Sequence, residues 1–167
     1  KKIALIFLLI IAAGFIRLYP QDYPGIQAFL ITCEPGTETY SIYGHSALRL
    51  INGTTREDIV YNWGVFDFST RNFAWKFAKG RLDYLLDTNT LPAFLGEYYF
   101  EKRSVFEQRI NLEPEEANKL LSMIAENLKP ENKAYRYDFF YDDCSTRIRD
   151  LLEKTLGSNL LYPPEDW

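Results

Sequence analysis

Two periodicities run along this chain. Residues 25–33 (GIQAFLITC) are almost wholly apolar over the length of a strand and stop at Pro35 and Gly36, which predicts a buried β-strand. Residues 45–51 (HSALRLI) and 58–63 (DIVYNW) are two more strand-type runs. Asn52-Gly53 between them marks a hairpin, so this pair is expected to be antiparallel. Residues 82–87 and 104–112 read as further extended segments. Helical spacing appears at 72–79, where Phe73 and Phe77 stand four apart before Gly80, and at 91–99 behind the capping residue Thr90. The strongest helix signal is 114–127, which has Pro114 at its start and Glu115 and Glu116 in the first turn. Leu120, Leu121, Ile124 and Leu128 form its apolar stripe, and Lys129-Pro130 ends it. Residues 135–141 (YRYDFFY) read as a strand. Asp142-Asp143 then open a last helix that turns Ile148, Leu151, Leu152 and Leu156 to the core and stops at Gly157. Together these elements predict an α+β domain, an antiparallel sheet with packed helices, over residues 21–167.

Composition narrows the class. With 167 residues, 47% of them apolar and 25% charged, the chain has the balance of one globular domain, and disordered or fibrous readings are excluded. Its 19 Lys and Arg against 23 Asp and Glu give a net charge of -4, so it lacks the basic surplus that nucleic-acid binding needs, and nucleic acid is set aside as a partner. The aromatic share of 16% exceeds what a small core requires, and part of it is expected in a cleft. Lys1 and Lys2 precede an uncharged run, 3–16, that ends at Arg17, with Ala12, Ala13 and Gly14 offering small side chains for cleavage. This layout predicts a signal peptide over 1–20, with membrane association through an uncleaved N-terminal anchor as the alternative. The run is shorter than the roughly 20 apolar residues of a membrane-spanning helix. Either way the domain is expected in the periplasm or cell envelope.

The smallest counts restrict the chemistry most. One histidine, His45, and two cysteines, Cys33 and Cys144, give no recognisable metal-ligand set, and no metal or cofactor is expected. Export makes a Cys33–Cys144 disulfide the first alternative, although a domain of this size does not need a staple. Cys144 directly follows the two aspartates, at the start of the last helix, where unpaired backbone N–H groups favour a thiolate. Asp142 and Asp143 oppose that charge. Arg147 lies three residues on, on the same helical face, where it offsets the acids, binds a substrate carboxylate or is merely solvated. A cysteine nucleophile needs a base, and His45 is the only imidazole available. A lone histidine on a strand is otherwise structural. With Leu50 opposite Glu57, Asn62 falls directly across from His45 and can orient the ring, whereas a one-residue slip brings Tyr61 or Trp63 there. Asp58 and Asp67 are the other candidate acceptors. Tyr43, in the polar stretch before the His45 strand, and Trp63, next to Asn62, join Arg147 as candidate substrate contacts. Backbone N–H groups at the start of the last helix would form the oxyanion site.

The strings LITCEPG, YSIYGHSALRL, IVYNWGVFDF, FAKGRLDY and YDFFYDDCSTRIRDLLE cover most of residues 26–156. They resemble the bacterial family of the Lnb N-terminal periplasmic domain, known from envelope proteins of Bacteroidetes and other Gram-negative bacteria. More distantly, an early histidine on a strand and a late cysteine at a helix start resemble the permuted papain-like (NlpC-type) architecture, which lecithin retinol acyltransferase and its relatives share. The resemblance implies Cys144 as nucleophile, His45 as base and Asn62 as the orienting residue. It also implies a cell-envelope peptide, glycan or lipid as substrate. Two departures stand out: family members often read Asp-Asn-Cys where this chain has Asp142-Asp143-Cys144, and they continue past the position of Trp167, so further sequence is expected to complete the unit. The expectation is therefore a periplasmic cysteine hydrolase or acyltransferase acting on an amide or ester. A non-catalytic envelope-binding domain and a structural domain stapled by its two cysteines are the competing readings.

Overall fold

The computed structural model describes residues 25–38, 40–67 and 69–162. The segment 1–20, read above as a signal or anchor, lies outside them. Among the described residues, no helix is long and apolar enough to cross a membrane.

The apolar runs form strands β1 (Ile26–Cys33), β2 (His45–Asn52), β3 (Glu57–Val65), β4 (Asp83–Asn89) and β5 (Val105–Ile110), with a short β6 (Ala134–Arg136). All neighbours pair antiparallel in the order β5-β1-β2-β3-β4-β6. The helices are α1 (Phe73–Ala78), α2 (Leu91–Phe100), α3 (Pro114–Asn127), α4 (Pro130–Lys133) and α5 (Cys144–Leu156). The helix α3 occupies its predicted span, with Glu116 Oε2 accepting the Glu113 N–H at 2.8 Å. Thr90 Oγ1 accepts the Ala93 N–H at 3.4 Å and caps α2.

Strand alternation gives the sheet two apolar faces. Ala28, Leu48, Leu50, Tyr61, Trp63 and Leu86 pack with Leu120 and Ile124 of α3 and Ile148 and Leu151 of α5. On the other face Ile31, Cys33, Ala47 and Val60 pack with Phe94 and Tyr98 of α2. Burial on both sides explains why β1 reads as a continuous apolar run rather than an alternating one. Each fully buried Leu, Ile or Phe contributes about 1.5–3 kcal/mol.

Three local expectations are corrected. First, β2 and β3 pair Leu48 with Tyr61 and Asn52 with Glu57, two residues away from the predicted Leu50–Glu57 pairing. The turn is four residues long because Asn52 Oδ1 accepts the N–H groups of Thr54 (2.9 Å) and Thr55 (3.1 Å), and the left-handed residue is Arg56 (φ 62°). Second, the strand expected at 135–141 stops at Arg136. Asp138 Oδ1 accepts the N–H groups of Phe140 and Tyr141, and Asp138 and Asp142 exchange backbone hydrogen bonds, which closes the segment into a loop. Third, the buried stripe of α5 is Ile148, Leu151 and Thr155, with Leu152 half-buried against it, and Leu156 falls outside.

Candidate active site

His45 is the first residue of β2, and the conformation before it is set by Gly44. Gly44 is left-handed (φ 78°), and a Cβ there would lie 2.7 Å from the Cys33 carbonyl oxygen, so only glycine brings the loop into the strand this closely. His45 pairs directly with Cys33 on β1 and shares a sheet face with Asn62. The imidazole Nε2 lies 2.6 Å from Asn62 Oδ1. That oxygen can only accept, so Nε2 carries the proton and Nδ1 is left for another partner. Asn62 meets His45 diagonally rather than straight across, because the two-residue register shift preserves the face while moving the opposing position to residue 64.

Residue 64 is Gly64, with φ 99°, at a β-bulge between Trp63 and Val65. A Cβ there would be 3.5 Å from His45 Cε1, 3.7 Å from Cys144 Cβ and 4.0 Å from the Tyr135 hydroxyl. The missing side chain therefore opens a small space at which three groups converge.

Cys144 is the first residue of α5. Asp143 caps the helix: its Oδ1 accepts the Thr146 N–H at 2.7 Å, and Thr146 Oγ1 accepts the Asp143 N–H at 2.7 Å. Ser46, facing opposite to His45 on β2, brings its Oγ to 3.2 Å from Ser145 Oγ and ties the helix start to the strand. Burial alone would raise the Cys144 thiol. A hydrogen bond with His45, the histidine's charge and the Ser46 backbone N–H outweigh burial and the opposing charge of Asp143, and hold the thiol below its ordinary value. For His45 burial pulls downward, but the hydrogen bond and charge of Cys144, and then Asn62, hold the imidazole above its ordinary value. Each charged form thus favours the other, an arrangement suited to a thiol and an imidazole that exchange a proton.

Both cysteines are free. Cys33 is 2% exposed, and burial, partly offset by a hydrogen bond with Tyr98, pushes its thiol up to about 11. The two thiols are thus shifted in opposite directions, although Cys33 is the strand partner of His45.

His45, Asn62, Gly64 and Cys144 line a cleft of ≈ 400 Å³ together with Tyr84, Tyr98, Tyr137, Glu97 and Arg103. A second cavity of ≈ 350 Å³, lined by Phe77, Leu82, Phe139 and Phe140, adjoins it behind Tyr84 and Tyr137, whose rings stack at 4.3 Å. Among the described residues, no group of three His, Cys, Asp or Glu is placed to hold a metal ion.

The structure thus brings together Cys144, His45 and Asn62, and separates the three expected substrate contacts from the cleft. Trp63 is fully buried on the opposite sheet face, against α3 and α5, because it neighbours Asn62 along an alternating strand. Arg147 is committed to Asp142, through Nε at 2.5 Å and a second bond at 2.8 Å, and lies 3.7 Å over the Tyr135 ring. It therefore neutralises one of the acids beside the thiol. Tyr43, 73% exposed, packs on Phe139 at 4.5 Å outside the cleft lining. Asp58 pairs with Arg49 and Asp67 with Ser69, so neither serves His45. Sequence reasoning missed Gly64 and Tyr135. A glycine inside a strand run was the available signal for the first.

Compared with known proteins, the chain matches the family model of the Lnb N-terminal periplasmic domain over residues 21–167. No curated protein matches it significantly, and no solved structure does.

Proposed function

The chain belongs to the Lnb N-terminal periplasmic domain family, and from that premise we propose that it is a periplasmic cysteine hydrolase or acyltransferase acting on an amide or ester of the cell envelope. The observation that carries this reading is the Cys144–His45–Asn62 array: a thiol held low at a helix start, an imidazole held high beside it, and an acceptor fixing the ring. A Cys-His-Asn set of this kind, with the cysteine on a helix and the histidine on a strand, supports the permuted papain-like (NlpC-type) comparison.

In the proposed reaction the Cys144 thiolate attacks the carbonyl carbon, a C–S bond forms, and the carbonyl electron pair moves to oxygen. As the C=O bond re-forms, the C–N or C–O bond breaks and the His45 imidazolium gives its proton to the leaving nitrogen or oxygen. Neutral His45 then takes a proton from water, or from another acceptor, as it attacks the thioester; the C–S bond breaks and its electron pair returns to Cys144 Sγ as the thiolate. The aromatic lining of the cleft, from Tyr84, Tyr98 and Tyr137, suits a peptide, glycan or lipid substrate. The N-terminal apolar run 3–16 fits export or attachment at the membrane.

The test is the rate of Cys144 alkylation by iodoacetamide against pH, followed by mass spectrometry. In the native chain Cys144 should label rapidly below pH 7, while Cys33, buried and titrating at about 11, stays unlabelled and serves as an internal control. In His45→Ala the stabilising partner is gone and burial and Asp143 remain, so the thiol rises and the neutral-pH rate should fall. Slow labelling with no dependence on His45 would remove the enzymatic reading.

A further inference from the structure

Tyr135 sits on the edge strand β6, and its hydroxyl is fully buried without a hydrogen-bond partner. A buried hydroxyl left unpaired costs about 1–3 kcal/mol, which calls for an explanation. The ring is wedged under the Arg147 guanidinium at 3.7 Å and beside Tyr84 at 6.3 Å, so it is held in one place. The hydroxyl points to the space left by Gly64, 4.0 Å from the position of the missing Cβ. His45 Cε1 and Cys144 Cβ border the same space at 3.5 Å and 3.7 Å. A carbonyl carbon bonded to Cys144 Sγ would lie two bonds from that residue's Cβ, within reach of the same space.

Resting on the reading of Cys144 as nucleophile, we propose that the Tyr135 hydroxyl is an oxyanion donor: a catalytic residue that hydrogen-bonds the oxygen of the tetrahedral intermediate in the space opened by Gly64. The unpaired hydroxyl is then a site preorganised for an oxygen that exists only during reaction, and it needs no rearrangement when that charge appears. Burial, and then the negative charge of Cys144, push the phenol well above its ordinary range, so it remains a donor at every pH at which the thiolate works. Arg147 reinforces it without entering the cleft. Its guanidinium, neutralising Asp142 and stacked on the ring, keeps positive charge near the phenol.

Two reagents separate this role from that of the thiolate. Iodoacetamide reacts with Sγ by displacement at a saturated carbon and develops no oxyanion. p-Nitrophenyl acetate acylates Sγ through a tetrahedral intermediate: the C–S bond forms, the carbonyl pair moves to oxygen, and p-nitrophenolate leaves with the C–O electron pair. In this chain, Tyr135→Phe should leave the alkylation rate and its pH profile within about twofold of wild type. The p-nitrophenolate burst rate should fall by about 10²–10³, the usual effect of losing one oxyanion donor. Because the hydroxyl has no partner to lose, the variant is expected to melt no lower than wild type. Replacing Tyr135 with 3-fluorotyrosine keeps the packing and sharpens the donor, so acylation should quicken with alkylation unchanged. This arm remains decisive even if the phenylalanine variant folds poorly. Normal alkylation with wild-type acylation in both variants overturns the role of Tyr135 alone. A wild-type Cys144 that alkylates as an ordinary thiol and accepts no acetyl group overturns the nucleophile reading beneath it.

Discussion

Asn62 does two things to His45 with one oxygen. It accepts from Nε2 at 2.6 Å, which favours the Nε2–H form, and it holds the ring so that Nδ1 is left for another partner. In Asn62→Ala the buried Nε2–H loses its partner, at a cost of about 1–3 kcal/mol, and the ring is free to turn. Both the denaturation midpoint and the neutral-pH alkylation rate of Cys144 should fall, the latter by about 3–10-fold as the imidazole loses a contribution that raises its pKa. An unchanged alkylation profile would show that Asn62 only packs. In the sequence His45 stood out as the single imidazole and Cys144 as the cysteine at a helix start. Asn62 was legible through strand parity: a register two residues off still keeps the same face. Gly64 and Tyr135 were not, because their meaning depends on where an absent methyl group and an unpaired hydroxyl point, and no periodicity encodes either.

At the scale of the element, the start of α5 balances helix stability against thiol chemistry. Asp143 stabilises the helix as its cap, yet its charge raises the Cys144 thiol. Asp143→Asn keeps an oxygen to accept the Thr146 N–H and removes the charge. Stability should change by only a few tenths of a kcal/mol, since both residues are strong N-caps, while rapid alkylation of Cys144 extends to lower pH. Asp143→Ala removes the charge as well but loses the cap, at about 1 kcal/mol. Urea denaturation and the alkylation profile, measured on both variants, separate the two effects. If the profile did not move in Asp143→Asn, the carboxylate would have no hold on the thiol. Strong helix signals such as Pro114, Glu115 and Glu116 made α3 readable to the residue, because local propensity and burial agree there. The segment after Arg136 misled because its aromatic residues carry strand propensity, while a single Asp138 side chain captures two backbone N–H groups and bends the chain out of the sheet.

One sheet serves two cores, so damage to either face is felt by the whole molecule. Leu120→Ala on the α3 side should cost about 2–5 kcal/mol, and Phe94→Ala on the α2 side about 3–5 kcal/mol. Urea unfolding followed by circular dichroism and by Cys33 alkylation should give coincident transitions in each, as for a single cooperative unit. Transitions that separated would mean that α2 opens on its own. The continuous apolar run of β1 already pointed to a doubly covered strand, whereas which helix covers which face rests on connections that no local pattern records. The same architecture governs when the site comes into being. Ser46 and Ser145 meet across 99 residues of chain, so the thiolate and its imidazole belong to opposite ends of the domain. Until those ends meet, the chain has no imidazole beside either thiol. Only with α5 docked on the sheet does Cys144 meet His45, so the shifted thiol reports a completed fold.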